Sequence, residues 1–224
     1  DVEAIADYIY AHKDYEIVIA TKYEERVKEI LACYDIFDVE YINTFDVPTA
    51  KKSKYSQLMQ ELERIVYQHN NAELSFYDYR MMSLNYPEKR QEIEDNISTL
   101  FGVIDKFFKP SGKHIELDKE NNRLVFVLDT TGGNIQLEQL SSGEKQLLII
   151  LFRVFLMQKK SYILLMDEPE ISLHIDWQNQ LIDAIQILNP NAQIILSTHS
   201  PSIFADGWGD RLVFMDEITY MTNL

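Results

Sequence analysis

From residue 139 onward, apolar runs of two lengths take turns along the chain. A helix-length run at 147–157 gives way to a strand-length one at 162–166. Next comes a segment whose Trp177, Leu181, Ala184, Ile185 and Leu188 share one helical face, and then a second strand-length run at 193–196. A short helix and a last strand complete the expected order. Helices alternating with strands in this way predict a parallel sheet with crossover connections. The run Tyr162-Ile163-Leu164-Leu165-Met166 has no polar interruption, the mark of a strand covered on both faces.

Upstream the periods change. Segments 114–117 and 123–128 are β-like and are separated by Asp118-Lys119-Glu120-Asn121-Asn122, a polar string that suits a hairpin; Thr130-Thr131-Gly132-Gly133-Asn134 then ends the pattern. Residues 53–108 read as helical. Tyr55, Leu58, Leu62, Ile65 and Val66 form one stripe, and Ile93, Ile97, Leu100, Phe101, Ile104 and Phe108 form another. Two main helices are expected there, with Asn85-Tyr86-Pro87 at the entry to the second. Near the start, strand-like runs at 16–20 and 39–45 flank a helical stretch at 23–32, a βαβ rhythm. The fold class predicted is α/β, a mostly parallel sheet flanked by helices, with residues 1–52 and 109–224 as the core and 53–108 as a helical insertion.

Composition narrows the class. Hydrophobic residues at 46% and charged residues at 25% exclude disordered and collagen-like chains. No apolar stretch approaches the roughly 18 residues of a membrane span, and the acidic start lacks a signal peptide's basic and apolar regions. A lone cysteine, Cys33, can make neither an internal disulfide nor a cysteine-based metal site, which fits a reducing compartment and the expectation of a cytoplasmic protein. With 21 Lys and Arg against 36 Asp and Glu, the net charge is −15, and a field of that sign repels nucleic acid. Direct contact with DNA or RNA is therefore not supported.

Three short strings carry candidate chemistry. Ser141-Ser142-Gly143-Glu144 precedes an apolar helix, and Ser141 with Glu144 three residues on matches a capping box. The same free backbone N–H groups, with serine hydroxyls and a glycine allowing close approach, would also suit a phosphate. Asp167 and Glu168 emerge where the buried strand stops, at the carboxyl edge where open α/β sheets bind ligands. Adjacent acids repel, so a fold places them together when a cation or a proton transfer uses them. Pro169 biases Glu168 away from helical angles. His199, at the end of the run through Ser197 and Thr198, falls on the neighbouring strand end if the crossover is of the usual kind. Taken singly, each string has an ordinary explanation as a cap, a solvated loop start or a hydrogen-bonded loop histidine.

In this order and spacing, the strings resemble the C-terminal half of an ABC-type ATPase head, within the branch of predicted ATP-binding proteins related to the overcoming-lysogenization-defect family. Leu140-Ser141-Ser142-Gly143-Glu144-Lys145-Gln146 is similar to the ABC signature, and 162–168 to Walker B with its following glutamate. Ser172-Leu173-His174 is similar to the D-loop, and His199 to the switch histidine. The likeness is good over 139–215 and loose before it. It implies a P-loop NTPase fold, with ATP and Mg²⁺ as cofactors. Asp167 would hold Mg²⁺ through water, Glu168 would orient or deprotonate the attacking water, and His199 would contact the γ-phosphate. Ser141, Ser142, Gly143 and Glu144 would approach the nucleotide of an opposing copy, giving a homodimer with ATP sandwiched between heads. Phosphoryl transfer depends on positioning and charge neutralisation, which such residues supply.

One part of that family's pattern is missing. No G-x-x-x-x-G-K-[ST] loop occurs; Pro110-Ser111-Gly112-Lys113 comes nearest, but Phe107 stands where the first glycine belongs and His114 where the hydroxyl belongs. A turn before a strand is expected there instead. With Asp1 rather than Met as the first residue, this leads to the expectation that an N-terminal lobe of the natural protein is absent from the chain, and that the chain alone binds ATP weakly. Asn43-Thr44-Phe45-Asp46 falls near the family's Q-loop without supplying its glutamine. The function expected is an ATPase subunit coupled to an effector protein, in nucleic-acid processing or phage defence. The alternative is a non-catalytic protein-interaction module that works through 53–108. A membrane-transporter ATPase shares the head but fits the long insertion less well.

Overall fold

The computed structural model describes residues 56–69, 73–118, 120–205 and 207–214, together with the backbone of 38–42. The run at 16–20, the helix at 23–32, Cys33 and the string 43–46 lie outside the described residues. The chain divides into two compact units. One is Asp1–Thr44 with Lys159–Ile182 and Pro190–Leu224; the other is Phe45–Gln158 with Asp183–Asn189.

The first unit holds the parallel sheet. Strand β1 (Asp38–Ile42) lies beside β5 (Tyr162–Asp167), which lies beside β6 (Ala192–Ser197), all parallel in the order β1-β5-β6. Residues Ile163, Leu164, Leu165 and Met166 are buried in succession, as expected of a strand covered on both faces. The register pairs Met166 with Leu196 and Asp167 with Ser197, so both strands end at the same rim. Between them in sequence comes α5 (Ile175–Leu188), of which the part up to Ile182 belongs to this unit and the rest to the second; Leu181, Ala184, Ile185 and Leu188 are buried and Trp177 half-buried, the face read from the sequence. Beyond β6 come short 3₁₀ turns at Pro201–Ile203 and Gly209–Arg211; no further strand forms among the described residues up to Phe214.

Three helices of the second unit pack around a fourth. They are α1 (Gln57–Tyr67), α2 (Phe76–Asn85) and α3 (Arg90–Phe108), with α4 (Ser142–Leu156) at their centre. The expectation of two main helices before residue 109 is thus corrected to three. Helix α2 escaped notice because Tyr, Met and Phe residues are scattered around its whole circumference rather than set in a stripe. Its start is nonetheless marked by a capping box: Ser75 Oγ accepts from Asp78 N at 3.1 Å, and Asp78 Oδ2 accepts from Ser75 N at 3.3 Å. Pro87 begins a 3₁₀ turn, Pro87–Lys89, that leads into α3.

Helix α4 is buried along nearly its entire length, so side chains pack on several of its sides. Phe76 meets Phe152 edge-on at 5.2 Å between centroids, and Tyr79 meets Phe155 in the same way at 5.0 Å. Glu61 of α1 accepts two hydrogen bonds from Arg64, each of 2.9 Å, and a further one from Arg153 of α4. Burial opposes the charge on Glu61, yet the hydrogen bonds and charges of the two arginines overcome this and lower its carboxyl to about 2.

The expected hairpin is present and has a third strand. Strands β2 (Lys113–Asp118) and β3 (Arg123–Leu128) pair antiparallel, and β4 (Asn134–Gln136) pairs antiparallel with β3. Asn122, in a left-handed conformation, closes the loop with its N–H on Asp118 O. Gly112, at φ 64°, ends a 3₁₀ turn just before β2, so Pro110-Ser111-Gly112-Lys113 is a turn ahead of a strand, as read from the sequence.

Candidate functional site

Where β5 and β6 end, three carboxylate-bearing residues, Asp167, Glu168 and Glu170, face the stretch from Ser197 to Ser200 within the first unit. Pairing of Asp167 with Ser197 brings the Ser197 hydroxyl to the Asp167 carboxylate, to which it donates at 2.5 Å. The next residue, Glu168, turns away: its N–H donates to Ser197 O at 2.9 Å, and its backbone adopts φ 45°. A bulky residue in the left-handed region is uncommon, and the hydrogen bond of its N–H to Ser197 O ties this turn to the end of β6. The expectation that Glu168 leaves the helical region therefore holds.

That turn aims the Glu168 side chain at the next loop. Its Oε1 lies 3.3 Å from His199 Nε2, with the glutamate side chain 31% exposed and the histidine 91% exposed. The three residues Asp167, Glu168 and His199, named from sequence, are thus brought together. An acid and an imidazole in contact at an open rim can hold or pass a proton at a group placed between them and solvent.

Glu170 was missed by sequence reasoning. Its Oε1 accepts from Thr198 Oγ1 at 2.5 Å, from His199 N at 3.0 Å and from Ser200 N at 3.2 Å, while its Oε2 is buried without a hydrogen-bond partner. Gln178 adds a second tie. Ser200 Oγ donates to Gln178 Oε1 at 2.6 Å, and Gln178 Nε2 donates to Leu173 O at 3.0 Å, within the Ser172-Leu173-His174 segment. Ser172 has φ 72°, and His174 Nδ1 sits 3.3 Å from Asp176 Oδ2. The only sequence signal for Glu170 was an acid one residue beyond Asp167-Glu168-Pro169.

Ser141, Ser142, Gly143 and Glu144 belong to the second unit, at the start of α4. Here the capping box is real. Ser141 Oγ accepts from Glu144 N at 3.3 Å, and Glu144 Oε2 accepts from Ser141 N at 2.8 Å. Lys113 donates to the other carboxylate oxygen at 2.6 Å. Burial works against the Glu144 charge, but the bonds from Lys113 and Ser141 and the lysine's charge outweigh it and hold the carboxyl below the usual range. Lys145 ties down the preceding turn by donating to Glu138 O at 2.9 Å and Leu140 O at 2.6 Å. Ser141 and Ser142 are exposed, whereas Gly143 and Glu144 are buried.

Among the described residues, no group of three or more His, Cys, Asp or Glu side chains is placed to hold a metal ion, and no helix is long and apolar enough to cross a membrane. Residues 38–206 match the family described as AAA domain, putative AbiEii toxin, Type IV TA system, and the chain belongs to it. It is similar to the retron Vc95 probable ATPase of Vibrio cholerae serotype O1 biovar El Tor, 26% identical over 198 residues. That alignment covers 84% of this chain and 35% of the relative. The Septu protein PtuA of Bacillus thuringiensis is 29% identical over 114 residues, 45% of this chain and 27% of its own length. A third relative, the retron Ec83 probable ATPase of Escherichia coli, is 30% identical over 121 residues, covering 48% of this chain and 22% of that protein. The chain thus spans about a third or less of the length of these curated relatives.

Proposed function

We propose that this chain is part of an ATP-hydrolysing head of ABC type that closes on a second copy around ATP and couples turnover to an effector protein, in nucleic-acid processing or phage defence. The observation that carries the proposal is the contact of Glu168 with His199 immediately beyond the paired strand ends Asp167 and Ser197. Membership of an AAA-domain family, and relatives named as probable ATPases, support it.

The donor set fits magnesium. Carboxylate and hydroxyl oxygens are hard ligands, and a Mg²⁺ site in nucleotide enzymes uses one or two carboxylates with water and phosphate rather than a full protein cage. Asp167 would hold the ion, with Ser197 orienting the carboxylate through its hydrogen bond. When bound, the ion neutralises charge on the phosphates. Glu168 has the reach and exposure to orient a water and accept its proton, and His199 can place a ring N–H on a phosphate oxygen. Ser142 and the backbone N–H groups at the start of α4 are the donors offered to a nucleotide held by the opposing copy; Ser141 and Glu144 set the shape of that start through the cap.

Replacing Glu168 with Gln in the full-length natural protein tests the reading. Turnover is expected to stop while ATP-bound dimers accumulate, as followed by phosphate release and light scattering. Unchanged turnover overturns it and leaves the interaction-module alternative. The 224-residue chain has no G-x-x-x-x-G-K-[ST] loop, so its own affinity for ATP is expected to be weak. A titration giving micromolar affinity for the isolated chain contradicts that.

A further inference from the structure

The His199 loop is held from two sides. Its ring meets Glu168, while its backbone N–H, that of Ser200 and the Thr198 hydroxyl converge on one oxygen of Glu170. Three donors on a single carboxylate oxygen make a charge-assisted cluster, stronger than the neutral hydrogen bonds that usually shape loops. The other oxygen of Glu170 is buried with no hydrogen-bond partner. Without Glu170, the N–H groups of His199 and Ser200 lose an acceptor, and the loop keeps the Ser200 hydroxyl on Gln178 and the ring's own contact with Glu168 as its ties. Ser200 N retains only Thr198 Oγ1, at 2.9 Å, and that hydroxyl is itself oriented by Glu170.

We propose that Glu170 is a positioning residue: it fixes the backbone of Thr198, His199 and Ser200 so that the His199 ring is held at Glu168. This rests on the ATPase reading above for its consequence in turnover, though not for its geometry. A side chain that must stay within an ångström of its productive position is sensitive to such support, and losing it lowers the rate of the chemical step rather than ground-state binding.

The test uses the full-length protein and variants at Glu170, His199, Thr198 and Glu168. Glu170→Ala is expected to lower kcat on the order of 10- to 100-fold with KM for ATP nearly unchanged. Glu170→Gln, which keeps the accepting oxygen, is expected to recover most of that loss. Combining Glu170→Ala with His199→Ala is expected to cost little more than His199→Ala alone, because both act through the same ring. Additive losses in the double variant, or a KM effect without a kcat effect, overturn the proposal. Should Glu170→Ala not fold, Thr198→Val removes one donor of the cluster and enters the same double-variant comparison.

A readout without nucleotide separates the two readings. Ring-proton resonances of His199, followed by NMR, are expected to move toward those of a freely exposed histidine in Glu170→Ala and to stay in place in Glu170→Gln. If the resonances behave so while Glu168→Gln retains full turnover, the ATPase reading fails and the geometric role stands. If Glu168→Gln is inactive but the Glu170→Ala resonances and kcat are those of the wild type, the positioning role alone fails.

Discussion

At the ends of β5 and β6, acids reach side chains and backbone 28 to 30 residues away in sequence, and one of them meets an imidazole that is almost fully exposed. At the start of α4, Ser141 and Glu144 reach each other, three residues apart, and Lys113 is the distant partner of Glu144 among the described residues. Both regions look alike as strings of Ser, Glu and Gly or Pro. They differ in where the polar capacity goes. In the cap it is consumed locally, satisfying the free N–H groups of a helix, so Ser141 and Glu144 keep little to offer a ligand through their side chains. On the strand rim, Glu168 spends its backbone on the turn and leaves a carboxylate facing outward.

The largest effect should come from Glu168→Gln, which is expected to lower turnover about 10²- to 10⁴-fold with the thermal midpoint unchanged. A drop in midpoint of several degrees instead would make the rim a structural feature like the cap. Next in size, Lys113→Met leaves the buried Glu144 charge without its lysine partner and should cost about 1–3 kcal/mol in a denaturant titration. No loss there would mean that the cap needs no counter-charge.

Acid sharpens the contrast further. The carboxyl of Glu61 is lowered to about 2 from an ordinary 4.5, and that of Glu144 is lowered as well. A depressed carboxyl stabilises the fold above its unfolded value and loses that contribution as pH falls toward the folded one. Stability of the helical unit is therefore expected to decline between pH 4.5 and about 2, measured as the urea midpoint against pH, with Glu61→Gln flattening the decline. Asp105, raised by burial, works in the opposite sense. The smallest stability change is expected for Ser142→Ala, within about 0.5 kcal/mol, because the side chain is exposed and the cap belongs to Ser141. If Ser142 serves a nucleotide, turnover falls severalfold in that variant while the denaturation curve stays in place.

Most of the elements could be read from the chain. Strands β5 and β6, helices α1, α3, α4 and α5, the hairpin and the cap at Ser141 all follow from runs, stripes and i,i+3 pairs, which are local properties that a short window contains. Helix α2 did not, since its apolar residues form no stripe, and β4 did not, since three residues carry too little pattern. The neighbouring of Asp167 with Ser197 was legible through the strand, crossover, strand rule, which limits how a sheet can be threaded.

Sequence alone settled the α/β class, the carboxyl-edge position of Asp167 and Glu168, and the local cap, because periodicity and short-range hydrogen bonds need no knowledge of distant residues. It was silent on Glu170 holding the His199 loop and on Arg153 joining Glu61 across 92 residues. Those contacts exist only once the chain has folded back on itself. A carboxylate's partners are chosen by whatever the packing brings within hydrogen-bonding distance, and no residue pattern encodes that separately.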